Sequence, residues 1–319
     1  MSAATAGAAS MTGRVSMVTG VTGGLGRVIA TELARLGATV VMVCRDAAAG
    51  ERLRQQIAAE TGTDRTEVIA GDLSARAGLR HVAGEFTARH DKLHVLVNNA
   101  GAHYRKRLVN ADGIEMHVAV DYLAGFGLTV MLLDQLRAAA PSRVVNVVSD
   151  SMNDARTVTT RGRPRPVTLD SSQADDLRQM NGAAGFAPFE AYGRAKLLTT
   201  MSGYLLASQL HDAGVTVNAV HPGITATGIV DDIVSPLMRP FLGLIKRSLL
   251  TPEQGAAPVL RLATAPDLAG VTGRYYVRDD EHRSPEISYD RDLQQRVWAA
   301  SHACIGTPAP RDRNSPAIG

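Results

Sequence analysis

The sequence predicts an α/β protein built as one large unit. Two observations carry this. Short apolar, β-branched runs of strand length recur along the chain and alternate with longer segments whose apolar residues fall at helical spacing. The first of these strands runs directly into a glycine-rich turn and then into such a helix. Alternation of this kind builds a parallel sheet with helices packed against it. At 319 residues the chain has room for one large α/β unit or two small ones, and one is the better reading.

Taken in order, Met1 to Gly13 is rich in Ala, Ser, Thr and Gly, without a basic start or an apolar core; a disordered tail is expected, not a signal peptide. Arg14 to Val18 is the first strand, and Thr19-Gly-Val-Thr-Gly-Gly-Leu-Gly26 is the turn before a helix over Arg27 to Leu36. Glycines at Gly20, Gly23, Gly24 and Gly26, with Thr22 and Leu25 between them, let the backbone turn tightly and approach a pyrophosphate, whose charge the free amides of a helix start stabilise. A plain glycine-rich turn is the alternative, because the spacing departs from the usual GxGxxG fingerprint. Thr39 to Val43 is a second strand, ended by Cys44-Arg45-Asp46. About twenty residues after such a glycine turn, the strand tip carries the group that reads the adenosine ribose. A guanidinium there suits the 2′-phosphate of NADP and a carboxylate suits NAD; Arg45 therefore favours NADP(H) over NAD(H), with Asp46 expected to cap the helix that follows.

Thr66 to Ala70 is a third strand. Asp72 beyond it either accepts from an adenine amino group or caps a turn, with Leu73 beside it and Ser74 the expected cap of the next helix. Leu93 to Val97 is a fourth strand, followed by Asn98-Asn99-Ala100-Gly101, small residues of the kind a ligand lying across the sheet's carboxyl edge requires. Arg143 to Val148 is a fifth, ending at Ser149. Between positions 150 and 188 the composition shifts to Pro, Gly, Arg, Ser and Asp, which reads as a long inserted loop bordering the substrate pocket; Arg161, Arg163 and Arg165 in it either meet an acidic part of the substrate or are simply solvated. Val215 to Val220 is a sixth strand, followed by Pro222-Gly223-Ile224. Positions 224 to 250 are apolar and broken by Pro236 and Pro240, as a substrate lid would be. Gly273 to Val277 is a seventh strand, Asp290 to Cys304 a terminal helix, and 307 to 319 a second tail.

The chemistry concentrates in Phe189 to Thr199, an amphipathic helix start that puts Tyr192 and Lys196 four residues apart on one face. A phenol ionises near pH 10 in water and becomes a useful acid or base only when a fixed charge stabilises its phenolate, which Lys196 is placed to do. An ordinary surface pair is the alternative, weakened by the scarcity of lysine: only Lys92, Lys106, Lys196 and Lys246 occur among 34 basic residues.

Composition excludes several classes. Hydrophobic residues make up 45% and charged ones 20%, as in an ordinary soluble globular protein. A net charge of +3, scattered along the chain, is too weak for nucleic acid. Cys44 and Cys304 are the only cysteines, with no CxxC or Cys/His cluster, so neither a metal site nor a disulfide framework is expected and a reducing cytoplasm fits. No apolar run is long enough to span a membrane.

Thr19 to Gly26 as TGxxxGxG, Asp72-Leu73, Asn98 to Gly101 as NNAG, Ser149, Tyr192 to Lys196 as YxxxK, and Pro222-Gly223 together resemble the short-chain dehydrogenase/reductase family, over roughly Arg14 to Gly306. Cys44-Arg45-Asp46 with Gly50-Glu51, and Ser284-Pro285 through Trp298 to Gly306, are similar to its retinol dehydrogenase-like branch. The resemblance implies a Rossmann-type, doubly wound domain over 14–306 with a seven-stranded parallel sheet, and hydride transfer between NADP(H) and a carbonyl or alcohol; a bulky hydrophobic ketone, aldehyde or alcohol is the leading substrate hypothesis, since substrate specificity does not carry over from the family. It implies that Tyr192 exchanges the proton with the substrate oxygen and that Ser149 hydrogen-bonds that oxygen, with Ser151 as the alternative. Lys196 would hold the nicotinamide ribose, Thr227 would contact the nicotinamide side, and a homodimer or homotetramer would form through the Tyr192 helix. One position departs: the family's helix asparagine is Asp121 here, which puts the proton relay behind Lys196 in question. Non-redox chemistry on the same site, or a cofactor-binding sensor, are the competing functions.

Overall fold

The structure is a computed structural model that describes residues 8–156, 163–226, 243 and 249–308. Its frame is a sheet of β1 (Val15–Thr19), β2 (Thr39–Cys44), β3 (Thr66–Ala70), β4 (Val95–Asn98), β5 (Ser142–Val147), β6 (Val215–His221), β7 (Tyr275–Val277) and β8 (Asp280–His282), in the order β3-β2-β1-β4-β5-β6-β7-β8. The first seven strands are parallel. The eighth corrects the expected count: it turns back antiparallel on β7. Its three residues are all exposed and carry no apolar alternation, so nothing in the pattern marked it as a strand.

Helices cover both faces of the sheet. On one lie α1 (Gly24–Arg35), α2 (Ala47–Thr61) and the helix Pro252–Thr264; on the other lie α3 (Arg76–Thr87), α4 (Ala124–Met131), the long helix Pro188–Gln209 and the terminal helix Arg291–Ile305. Two short helices, α5 (Leu133–Ala138) and α6 (Ser171–Asp175), complete the set, so that the long helix is α7, Pro252–Thr264 is α8 and the terminal helix is α9. Side chains cap four of them: Asp46, as expected, accepts from the Ala49 amide, Asp170 accepts from the Ser172 amide, Thr251 forms a reciprocal capping box with Gln254, and Asp290 accepts from the Leu293 amide. Ser74 does not cap α3. The Arg76 amide is held instead by Asp112, thirty-six positions away, at 2.8 Å.

Two further expectations change. The N-terminal tail is shorter than 1–13, because Met11 is buried in the core and its amide donates to Leu36 O at 2.9 Å. A single methionine among small residues gives no periodic signal. The segment after position 162 is not simply a solvated loop: Val167, Leu169, Ala174, Leu177 and Met180 are buried in the main core, while Arg163 and Arg165 are exposed. Its backbone also pairs with the residues after β5, through Ala155 N to Arg165 O and Val167 N to Met152 O. One side of α7 packs against this chain's own α9, whose Trp298 packs edge-on against Phe126 of α4 at 5.0 Å between ring centres. The Ser284 hydroxyl ties the approach to α9 onto α7 through Tyr204, at 2.7 Å. Arg161, Thr227 and most of the expected lid lie outside the described residues.

Candidate active site

The register of the sheet brings the expected residues to one edge. Thr19 pairs with Val43, Cys44 with Ala70, Asn98 with Asn146 and Val147 with Val220. The segments leaving these strands therefore lie along the same carboxyl edge: the turn from Gly20 to Gly26, then Arg45, Asp72 and Leu73, Asn99 to Gly101, Ser149, and Pro222 to Ile224. The sheet order reverses between β1 and β4, and a crevice for ligands opens at such a switch point.

At this switch point the turn after β1 presses against the end of β4. Gly20 has φ of 70°, and a Cβ on it would lie 2.9 Å from Ala100 Cα. A Cβ on Gly26 would strike the Gly20 carbonyl and the Asn99 side chain. Polar bonds then lock the contact. The Thr19 hydroxyl accepts from the Asn99 and Ala100 amides at 3.0 and 2.9 Å, and the Asn99 side chain donates to the carbonyls of Thr19 and Gly20 at 2.9 and 3.2 Å. Asn99, expected to contact a cofactor, spends its amide group on bracing the turn.

The start of α1 fits an anionic ligand. Its cap position is Gly23, with no side-chain cap, no acidic residue follows in the first turn, and space is open where a Gly23 side chain would stand. Its first amides are thus free for a pyrophosphate. Leu25 and Leu73 are core side chains and Ile224 is exposed. Asp72 accepts from the Ser74 amide at 2.9 Å through Oδ1. Arg45 is exposed at the tip of β2 and, among the described residues, has no ion-pair partner. It lies near enough to Tyr104 to oppose the upward push that burial and Asp121 exert on that phenol, whose pKa stands at about 12.

Tyr192, Ser149 and Lys196 meet at the centre of the edge. Gly193 makes this possible: a Cβ there would lie 2.7 Å from Ser151 O and 2.8 Å from Val167, so α7 can press onto the segment that carries Ser149. Tyr192 is 7% exposed and Lys196 4%. Ser149 faces the phenol, and its Oγ also accepts from the Ser151 amide at 3.2 Å. The Ser151 hydroxyl is buried without a partner. Lys196 Nζ donates to Val147 O at 3.3 Å, stands 5.4 Å from the Tyr192 ring centre, and lies 3.5 Å from Asp121 Oδ1.

Asp121 sits in a π-helical turn, Val118–Leu123, that leads into α4; such wide turns re-aim side chains at functional positions. Its Oδ1 also accepts from the Ala102 amide at 3.0 Å, while Oδ2 is buried and has no partner among the described residues. Burial raises its pKa to about 6 against the opposing pull of Lys196. The Tyr192 phenol is held well above its ordinary range, first by burial and then by the Asp121 charge, with Ser149 opposing. The lysine expected to draw that pKa down thus has a carboxylate beside it that pushes it up.

The edge, the uncapped helix and the Ser149, Tyr192 and Lys196 cluster have counterparts in known proteins. Residues 14–160 match the family model described as short chain dehydrogenase. Over 297 residues the chain is 36% identical to a polyprenol dehydrogenase of Mus musculus, covering 90% of this chain and 82% of that protein. The chain belongs to the short-chain dehydrogenase/reductase family. It lies on the retinol dehydrogenase-like branch, being 33% identical to the Mus musculus retinol dehydrogenase 14 across 93% of its own length and 87% of that protein's. A solved structure of an uncharacterised protein from Mycobacterium paratuberculosis aligns with a TM-score of 0.73 at 26% identity, over 96% of this chain and 98% of that one. The protein is accordingly an oxidoreductase of CH–OH and C=O groups on a fold that binds nicotinamide cofactors. Among the described residues of this dehydrogenase, no helix is long and apolar enough to cross a membrane.

Beyond the motif residues, the site contains a buried polar chain that sequence reasoning missed. His117 Nε2 accepts from the Tyr104 amide at 3.0 Å and its Nδ1 donates to Glu115 at 2.8 Å; Glu115 accepts in turn from Asn181, which accepts from Arg194. Burial works against the Glu115 charge, but these bonds hold its carboxyl below the ordinary range. Glu115 and His117 are two positions apart in a segment without periodicity, so only their contacts across the fold reveal them. Thr19 was visible as the first residue of the glycine motif, although its partners lie eighty positions on.

Thr19→Val keeps the shape of the residue but removes both acceptor bonds to the β4 tip. Losing a hydrogen bond and leaving buried amides without a partner costs about 1 to 3 kcal/mol. Thr19→Val should therefore lower the urea midpoint and weaken binding of the reduced nicotinamide cofactor severalfold, read by the fluorescence of the bound nucleotide; parent-like values for both would remove Thr19 from this role.

Proposed function

We propose that this short-chain dehydrogenase uses NADP(H) to interconvert a bulky, largely apolar ketone or aldehyde and the corresponding alcohol, with carbonyl reduction the direction its site favours. The observation that carries the proposal is the buried Tyr192 phenol, kept protonated by burial and Asp121 and set against Ser149 and Lys196. A phenol in that state is an acid, able to give its proton to an oxygen that becomes an alkoxide. Bound NADPH supplies the hydride. The Ser149 hydroxyl would hold the carbonyl oxygen next to the phenol, and Lys196 would hold the nicotinamide ribose while its charge stabilises the phenolate left after proton transfer. Gly20 to Gly26, the Ala100 and Gly101 backbone and Pro222 to Ile224 would shape the cofactor cleft, with Thr227 on its nicotinamide side.

Preference for NADP rests on Arg45, an exposed guanidinium free to pair with a 2′-phosphate. An apolar substrate is in keeping with relatives named for polyprenol and retinol. The direct test is to mix the protein with NADPH and a panel of hydrophobic carbonyls and follow loss of the reduced cofactor's absorbance. Oxidation of NADPH by none of them would overturn the proposal.

Three outcomes are expected from the assigned roles. Tyr192→Phe removes only the phenolic proton and should lower kcat by about 100-fold or more while NADPH affinity stays within twofold. In Arg45→Asp a carboxylate faces the phosphate site, and the ratio of kcat/KM for NADPH over NADH should fall by at least about tenfold; an unchanged ratio would mean that another residue reads the phosphate. For Asp121→Asn the sign comes from the charge. Taking away a negative group that raises the Tyr192 pKa makes the phenol easier to deprotonate, so the basic limb of alcohol oxidation should move to lower pH with activity retained. Superimposable pH profiles of parent and variant would show that Asp121 exerts no such control.

A further inference from the structure

We propose that His103 is a specificity-determining residue that binds a second, uncharged polar group of the substrate, a hydroxyl or carbonyl close to the reacting carbon. This rests on the reductase reading of the site. His103 follows the Gly101 and Ala102 backbone at the carboxyl tip of β4 and is 8% exposed. Its ring lies edge-on to Tyr192 with 6.1 Å between ring centres, beside His117 at 5.5 Å and Phe189 at 6.5 Å. His103 thus stands in the same side-chain cluster as the phenol.

The decisive contrast is with His117. In one histidine both ring nitrogens are used, by Glu115 and the Tyr104 amide; in its neighbour both are buried and, among the described residues, neither has a partner. Buried polar atoms in native proteins are nearly always hydrogen-bonded, and those left open at a reaction centre are matched by what binds there. Among the described residues, no carboxylate, amide or hydroxyl of the chain bonds to His103, although Glu115 and Asn181 lie one ring away and are fully engaged with each other.

The charge state selects the kind of ligand. Burial, with His117 and Arg105 adding to it, lowers the His103 pKa to about 4, so the imidazole is neutral near pH 7 and offers one donor and one acceptor. A hydroxyl is matched to that pair, since it can accept from one nitrogen or donate to the other. An ammonium would find no negative charge on the ring, and a carboxylate would find no positive one. The substrate class is therefore an apolar carbonyl compound with a neighbouring oxygen function, such as a hydroxyketone, or the diol that reduction of it yields.

The test uses a matched pair of probes, 2-hydroxyacetophenone and acetophenone, with the parent, His103→Leu and His103→Gln. Calorimetric titration into the protein saturated with NADP+ measures binding without turnover, and initial rates with NADPH give kcat and KM. The parent should prefer the hydroxyketone by about tenfold in Kd and in kcat/KM. His103→Leu should bring both ratios close to one, with the loss in KM more than in kcat, and His103→Gln, which keeps a donor and an acceptor, should restore part of the preference. A purely structural histidine would change both ketones alike and leave the ratios in place. Turnover with no preference in the parent, or the same preference in His103→Leu, overturns the assignment of His103 and leaves the reductase reading standing. Loss of binding preference in His103→Leu without turnover of either ketone by the parent supports His103 and counts against the reductase reading.

Discussion

The catalytic edge depends on how closely the tips of β1 and β4 approach. Parallel neighbours in a sheet are fixed by their backbone bonds, but the loops beyond them would splay apart unless something drew them together. Here the absence of side chains at Gly20 and Gly26 allows the approach, and Thr19 with Asn99 fastens it. The turn is thereby held in place before any ligand arrives, with the uncapped end of α1 behind it. Under the proposed function, much of the cost of ordering the turn that would hold the pyrophosphate is met during folding, so it would not weaken binding later.

A second constraint is the buried ion pair. Lys196 and Asp121 have both been withdrawn from water, and their attraction at 3.5 Å offsets part of the penalty that each carries alone. Buried pairs of this sort contribute little net stability; their effect is on geometry and on neighbouring charges. In this dehydrogenase the neighbour is Tyr192. The carboxylate anchors the lysine and, by the same charge, resists ionisation of the phenol, so a single side chain ties the position of Lys196 to the proton affinity of Tyr192.

Much of this was legible in the chain. Strand tips announced themselves through small or polar residues following apolar runs, and Tyr192 with Lys196 stood out because lysine is rare here and their spacing matches one helical face. The residues that stayed hidden share a common cause. The partners of Thr19 lie eighty positions away, Asp112 holds the start of a helix that Ser74 was expected to cap, and the bonds that run from His117 through Glu115 and Asn181 to Arg194 form only in the folded chain. Local pattern reports which face a residue presents and not what lies opposite it. The stretch after position 162 misled in the other direction, since Pro and Arg dominate its composition while every second residue near Val167 and Leu169 turns inward.

The short strand β8 has an effect out of proportion to its length. An open parallel sheet ends in a row of unpaired amides and carbonyls that invites any extended chain to add on. β8 takes up that position beside β7 and presents Asp280, Glu281 and His282 to water, with Glu281 paired to Arg274. A charged ribbon three residues long offers little for a further strand to grip. Continuation of the sheet from one molecule into the next is thus discouraged at this margin, which guards the protein against fibrous growth while leaving its helical surfaces to govern how it meets its neighbours.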